Sequence, residues 1–211
     1  MILEACVETY DEAVSAWRLG ATRLELCSHL EMDGLTPDPE LTRRVCHAVP
    51  IPVMVMVRPR EGGFVFNDEE VRLMAHQIAE AKAMGASGIV MGLLTAKGAI
   101  DVEATALLAE KAAPLPVTFH KAIDTLPDPV AAITALRQIE GVTRVLTSGG
   151  KPTAYEGAET IKNMIKQGSG KITIIAAGKV TLQNFVKIGR LTGATELHGR
   201  RIVGELKANA D

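Results

Sequence analysis

Glu4 with Cys6, Glu25 with Cys27, Thr118 with His120, and Glu196 with His198 are spaced two residues apart, each pair in or just after a short apolar run. In extended chain, residues i and i+2 point to the same face. Each run therefore offers two polar or sulfur groups to one side. Met54, Met56 and Arg58 share parity in a further run, with Arg60 just beyond it. Gathered together, these types support three chemistries. Carboxylates and imidazoles move protons: Glu25 and His120 exchange them, Arg58 and Arg60 hold a small anion, and Glu4, Glu196 and His198 orient the groups or a divalent ion. Soft donors suit Cu(I), whose low coordination number is met by two sulfurs, here Cys6 and Cys27. A redox-sensing thiol pair is the third, and it needs disulfide geometry and a depressed thiol pKa. Each has a structural alternative: a polar layer satisfied from within, and Cys or Met serving as core filler.

Anion binding adds a further theme. Ser148-Gly149-Gly150 and Gly178-Lys179 each follow an apolar run, where backbone N–H groups face an oxyanion or else form ordinary glycine turns. Arg58-Pro59-Arg60-Glu61-Gly62-Gly63-Phe64 reads as an anion clamp with a lid, two cations followed by a glycine hinge and an aromatic tip. Cys46 lies on a helical stretch before Pro50 and reads as structural; with no Cys-x-x-Cys or His-x-x-x-His spacing, zinc has no support.

The elements that must carry these groups alternate between two periods. The spacing predicts strands at residues 2–7, 23–26, 53–57, 88–91, 117–120, 144–146, 172–175 and 196–198. Between them lie helical patterns. Thr9 with Glu12 reads as a capping box, and the first helix stops at Gly20. Asn67 caps a helix with Val71, Met74, Ile78 and Ala81 on one stripe, ending at Gly85. Another segment runs from Leu182 to Gly193. Strand, helix and loops recur roughly every 28 residues, and eight such units make a closed (β/α)₈ TIM barrel. An open doubly wound sheet would also alternate, but no Gly-x-Gly-x-x-Gly follows the first strand. A last helix within Arg201–Ala208 must be short or incomplete. In a barrel, the paired side chains converge at the C-terminal strand ends.

Composition sets the outer bounds. The chain has 211 residues, 23 basic against 25 acidic side chains and 47% hydrophobic content, which argues for one domain over residues 1–211 and against nucleic-acid or membrane-surface partners. Three cysteines do not make a disulfide framework, no apolar run is long enough to span a membrane, and the first residues carry acids where a secretion signal carries bases. The expected location is cytoplasmic.

At several stretches the sequence resembles the CutC family of copper homeostasis proteins: Gly20-Ala21 with Arg23-Leu24-Glu25-Leu26-Cys27, Gly34-Leu35-Thr36-Pro37, Arg58-Pro59-Arg60, Val117-Thr118-Phe119-His120, Arg144-Val145-Leu146-Thr147-Ser148-Gly149, and Glu196 with His198. The resemblance implies a cytosolic homo-oligomeric barrel linked to copper, with Cu(I) on Cys6 and Cys27. The competing expectation is an enzyme that acts on a small anionic metabolite at the mouth of the barrel.

Overall fold

The computed structural model describes residues 1–206. Eight strands alternate with helices: β1 (Ile2–Val7), α1 (Tyr10–Arg18), β2 (Arg23–Leu26), α2 (Pro39–Ala48), β3 (Val53–Met56), α3 (Asp68–Ala83), β4 (Gly88–Met91), α4 (Val102–Ala112), β5 (Val117–Phe119), α5 (Pro129–Leu136), β6 (Val142–Thr147), α6 (Ala158–Gly168), β7 (Thr173–Ala176), α7 (Phe185–Thr192) and β8 (Glu196–Gly199). Every strand pairs in parallel with its sequence neighbour, and β8 returns to β1, so the sheet closes into a barrel. The expected (β/α)₈ architecture is the observed one, and the open sheet is excluded.

Local chemistry explains the boundaries. Asn67 and Glu70 form a complete capping box at the start of α3, and Met74, Ile78 and Ala81 are its buried stripe. At α1 the expected box is only half made. The Thr9 hydroxyl accepts from the Glu12 N–H at 3.2 Å, but the Glu12 carboxylate accepts from the Glu8 N–H at 2.9 Å instead of returning to Thr9. Arg200 also donates to Glu12, at 3.2 Å, which draws that side chain toward β8. His120 does not belong to β5 as the sequence predicts; it caps a 3₁₀ turn, Lys121–Thr125. Among the described residues no helix follows β8, so the predicted last helix is not formed over 201–206, and positions 207 and 208 of its window lie outside them.

Strand alternation divides the interior into two zones. Outward residues such as Ala5, Val7, Leu24, Leu26, Val53, Val55, Ile89, Val117, Phe119 and Val145 meet the helices in a continuous apolar core. Inside the ring lie Cys6, Cys27, Met54, Met56 and Val90 as one small cluster, and Leu146, Ile175 and Ala177 as another. Glu4, Arg23, Glu25, Arg58, Thr118 and His120 are buried beside them. A ring this size is filled by side chains rather than left open, and here part of that filling is ionisable. Buried charge is costly unless it is paired, so register, which decides what is level with what, fixes the chemistry.

Candidate functional site

A cavity of about 540 Å³ opens at the C-terminal strand ends, lined among others by Cys6, Glu25, Cys27, Arg58, His120, Ser148 and His198. Its floor is an ionic lattice. Register sets Glu4 level with Arg23 on one neighbour strand and with His198 on the other. Arg23 donates through Nε to Glu4 and through an Nη to Glu196, the latter at 2.5 Å. His198 Nδ1 lies 2.9 Å from Glu4 Oε1, and its Nε2 lies 3.6 Å from Glu25 Oε2. Burial pushes the Glu4 carboxyl upward, but the His198 hydrogen bond and the Arg23 charge outweigh it and hold the group at about 2. Burial alone would lower His198, yet Glu25, Cys6 and Glu4 together hold it well above the usual imidazole range. His198 is therefore an imidazolium at neutral pH.

Glu25 differs from Glu4. Burial raises its carboxyl, with His198 opposing and Glu4 adding to the rise. Its Oε2 accepts from the Cys6 thiol at 3.3 Å, while Oε1 is buried without a hydrogen-bond partner. Cys6 Sγ lies 3.5 Å from Cys27 Sγ, and the Cys27 thiol points to the Val7 carbonyl at 3.7 Å. Hydrogen bonding to Cys27, burial and the Glu25 charge push the Cys6 thiol up. That direction is opposite to what a redox-sensing thiol requires. The Cys6, Glu25 and Cys27 ligand atoms lie within 4.8 Å of one another, as do those of Glu4, Glu25 and His198. The first set offers two soft donors and the second only hard ones and an imidazole. Cys46 is away from the cavity on α2, where burial pushes its thiol to about 11.

The opposite wall is built around His120. Its backbone N–H donates to the Met91 carbonyl at 2.9 Å, which ties it to the end of β4. Its Nδ1 accepts from the Ala122 N–H at 3.2 Å. A Cβ at Gly92 would meet Nδ1 at 2.4 Å, so glycine at this position gives the ring its seat. The Phe64 ring packs 5.1 Å away, with the Arg58 guanidinium 5.1 Å from the same ring. Burial and the Arg58 charge lower His120 to about 3. The expected proton exchange between Glu25 and His120 is thus ill served from the His120 side, although both residues line one cavity. His120 holds no proton to give at Nδ1 and resists taking one.

The expected anion clamp separates into two residues with different employment. Arg58 is 4% exposed and lines the cavity. It donates to the Met32 and Gly34 carbonyls at 2.8 and 3.2 Å and to Gly62 at 2.9 Å, which fastens the glycine loop. Arg60 does not line the cavity. It is paired with Glu70 at 2.5 Å and stacks on Phe66, which anchors the loop to the start of α3.

The glycine turns are also used internally. Asp124 accepts from the Ser148 N–H at 2.8 Å, the Ser148 hydroxyl at 2.9 Å and the Gly150 N–H at 2.9 Å, while the Gly149 N–H donates to Thr147 Oγ1 at 2.8 Å. A carboxylate from this chain occupies the nest that the sequence offers to a ligand. Gly178 is required for packing, since a Cβ there would come within 2.8 Å of Ser148 Cβ. Two residues of the site escaped the sequence reading. Arg23 and Arg144 have the inward parity of Glu25 and Leu146, which extending the alternation by one step would have found. The Arg144 Nε–H donates to Thr118 Oγ1 at 3.2 Å. The four donors gathered by Asp124, Thr147 Oγ1 among them, left no local signal.

Comparison with known proteins agrees with this fold. The CutC family model matches residues 1–203. A human protein named copper homeostasis protein cutC homolog is 44% identical over 197 residues, which cover 93% of this chain and 72% of that protein. A Pasteurella multocida protein named family protein CutC is 41% identical, covering 94% of this chain and 81% of its own length. The crystal structure of the Streptococcus agalactiae protein named CutC superposes with a TM-score of 0.90 at 33% identity, over 96% of this chain and 99% of that one. An aldolase, QR15, superposes with a TM-score of 0.72 at 14% identity over 97% of this chain and 91% of its own, a likeness of fold alone. With a family model spanning the barrel and relatives above 40% identity, this chain belongs to the CutC family.

Proposed function

We propose that this chain is a cytoplasmic copper homeostasis protein that carries Cu(I) as cargo on Cys6 and Cys27. The observation that carries the reading is the pair of buried thiols, 3.5 Å apart at the cavity wall, one in β1 and one just after β2. Two thiolates meet the low coordination number of Cu(I), and Met56 lies in the same sulfur-rich cluster. The names of the relatives support a link to copper. Both thiols must lose their protons to bind, so binding releases protons and strengthens with pH. Among the described residues no helix is long and apolar enough to cross a membrane, in keeping with the proposed location. The family resemblance also supports a homo-oligomer, which light scattering of the purified protein tests. For copper, Cys6→Ser combined with Cys27→Ser is expected to abolish anaerobic competition for Cu(I) against a chromogenic chelator. An unchanged affinity in the double variant rejects the assignment.

A second reading concerns the same cavity. Arg58 is a buried cation whose three acceptors are all backbone carbonyls, with no carboxylate paired to it among the described residues. Its Nε is buried without a partner. Such a group is expensive until an anion arrives, which favours a small organic anion at the barrel mouth, where Lys121 and Lys151 add charge to the rim. Calorimetry with glutarate tests it: heat of binding in the wild type, lost in Arg58→Met, supports the reading, and no heat removes it.

A further inference from the structure

His120 and Arg58 bring a neutral donor and a cation to one cavity. His120 Nδ1 is consumed by the Ala122 N–H, so the single ring hydrogen of the neutral imidazole must sit on Nε2. The Nδ1 and Cε1 edge of the ring packs against Gly92 and Ala122, which leaves Nε2 to the cavity that His120 lines. No acceptor among the described residues lies within hydrogen-bonding reach of it. Arg58, across the Phe64 ring, supplies a positive charge to the same cavity. A ligand that answers both must offer an acceptor to His120 and a negative charge to Arg58.

We infer that the cavity takes a small oxo acid, whose anionic group offsets Arg58 and whose carbonyl oxygen accepts from His120 Nε2–H. This inference rests on the anion-binding reading above and names its substrate class. A carbonyl oxygen is purely an acceptor, whereas a hydroxyl placed there would bring a hydrogen of its own needing a partner. A neutral imidazole suits the task better than an imidazolium. Arg58 already supplies positive charge, and a fixed donor polarises a carbonyl without surrendering its proton. The backbone cap makes the donor rigid, because flipping the ring or moving the hydrogen to Nδ1 would cost the Ala122 bond.

The test compares pyruvate with propanoate and lactate, and 2-oxoglutarate with glutarate, by calorimetry on the wild-type protein and on His120→Phe. The oxo acid is expected to bind about tenfold tighter than its carbonyl-free counterpart and than lactate, with parity in His120→Phe. Imidazole ¹⁵N shifts of the wild type are expected to report the Nε2–H form from pH 5 to pH 8, and the Nε2 proton to move on adding the tighter oxo acid. Equal binding of oxo acids and counterparts overturns the inference but leaves the anion-binding reading standing. No binding of any of these anions overturns both. An Nδ1–H signature for His120 overturns the inference directly, whether or not His120→Phe folds.

Discussion

The cavity holds two imidazoles in opposite states, and the contrast shows how one ring divides its chemistry. His198 stands between Glu4 and Glu25, within a lattice closed by Arg23 and Glu196, and is held charged. His120 stands against Phe64 and Phe119 beside Arg58, and is held neutral. Both are largely buried, so burial alone cannot separate them. Neighbouring charge decides: carboxylates on one wall, a guanidinium and aromatic rings on the other. One wall is therefore set up for ionic bonds and metal-type donors, the other for neutral hydrogen bonding.

The strongest way to break the contrast is to remove the guanidinium of the lattice. Arg23→Met leaves Glu4 and Glu196 without their shared partner in a buried setting, and is expected to cost about 3–5 kcal/mol of stability. Urea denaturation measures it; a loss under 1 kcal/mol would mean that His198 alone can compensate both carboxylates. Gly92→Ala attacks the other wall. The added Cβ cannot coexist with the present His120 ring, and a loss of about 1–3 kcal/mol with a changed His120 environment is expected. A neutral effect on both stability and imidazole shifts would show that the seat is looser than the geometry requires.

Titration sharpens the comparison, because the two histidines act with opposite sign. Between about 3 and 6.5 the unfolded chain holds a proton at His120 that the folded chain refuses. Stability thus falls as pH falls through that window, by up to about 1.4 kcal/mol per pH unit, and His120→Gln should flatten the acid limb. For His198 the folded value is raised. Its contribution is fully present below about 6.5 and fades as pH rises through the folded value, so His198→Gln should cost more at pH 6 than at high alkaline pH. Parallel curves for wild type and both variants would contradict the assigned charge states. The smallest effect belongs outside the ring: Arg200, half-exposed and paired with Glu8 and Glu12 at 3.0 and 3.2 Å, should lose less than about 1 kcal/mol on substitution by Gln. A larger loss there would show that the charge lattice extends beyond the barrel interior.

The sequence alone determined the barrel and most of the parity. Alternation is a property of an extended chain two residues long, so Glu4 with Cys6 and Glu25 with Cys27 can be read without knowing what lies beside them. Helix stops at Gly20 and Gly85 and the cap at Asn67 are likewise local, and the structure places them as expected. Half of the Thr9 box failed because the Glu12 carboxylate is taken by the Glu8 N–H and by Arg200, the latter nearly the whole chain away. The separation of Arg58 from Arg60, the capture of the Ser148 turn by Asp124 and the neutral state of His120 were decided only by tertiary structure. Each depends on which residue of one strand or loop comes level with which residue of another, and that stagger is set when the ring closes. Spacing along the chain fixes the side of the sheet a group points to; closure fixes its neighbours, and neighbours set its charge.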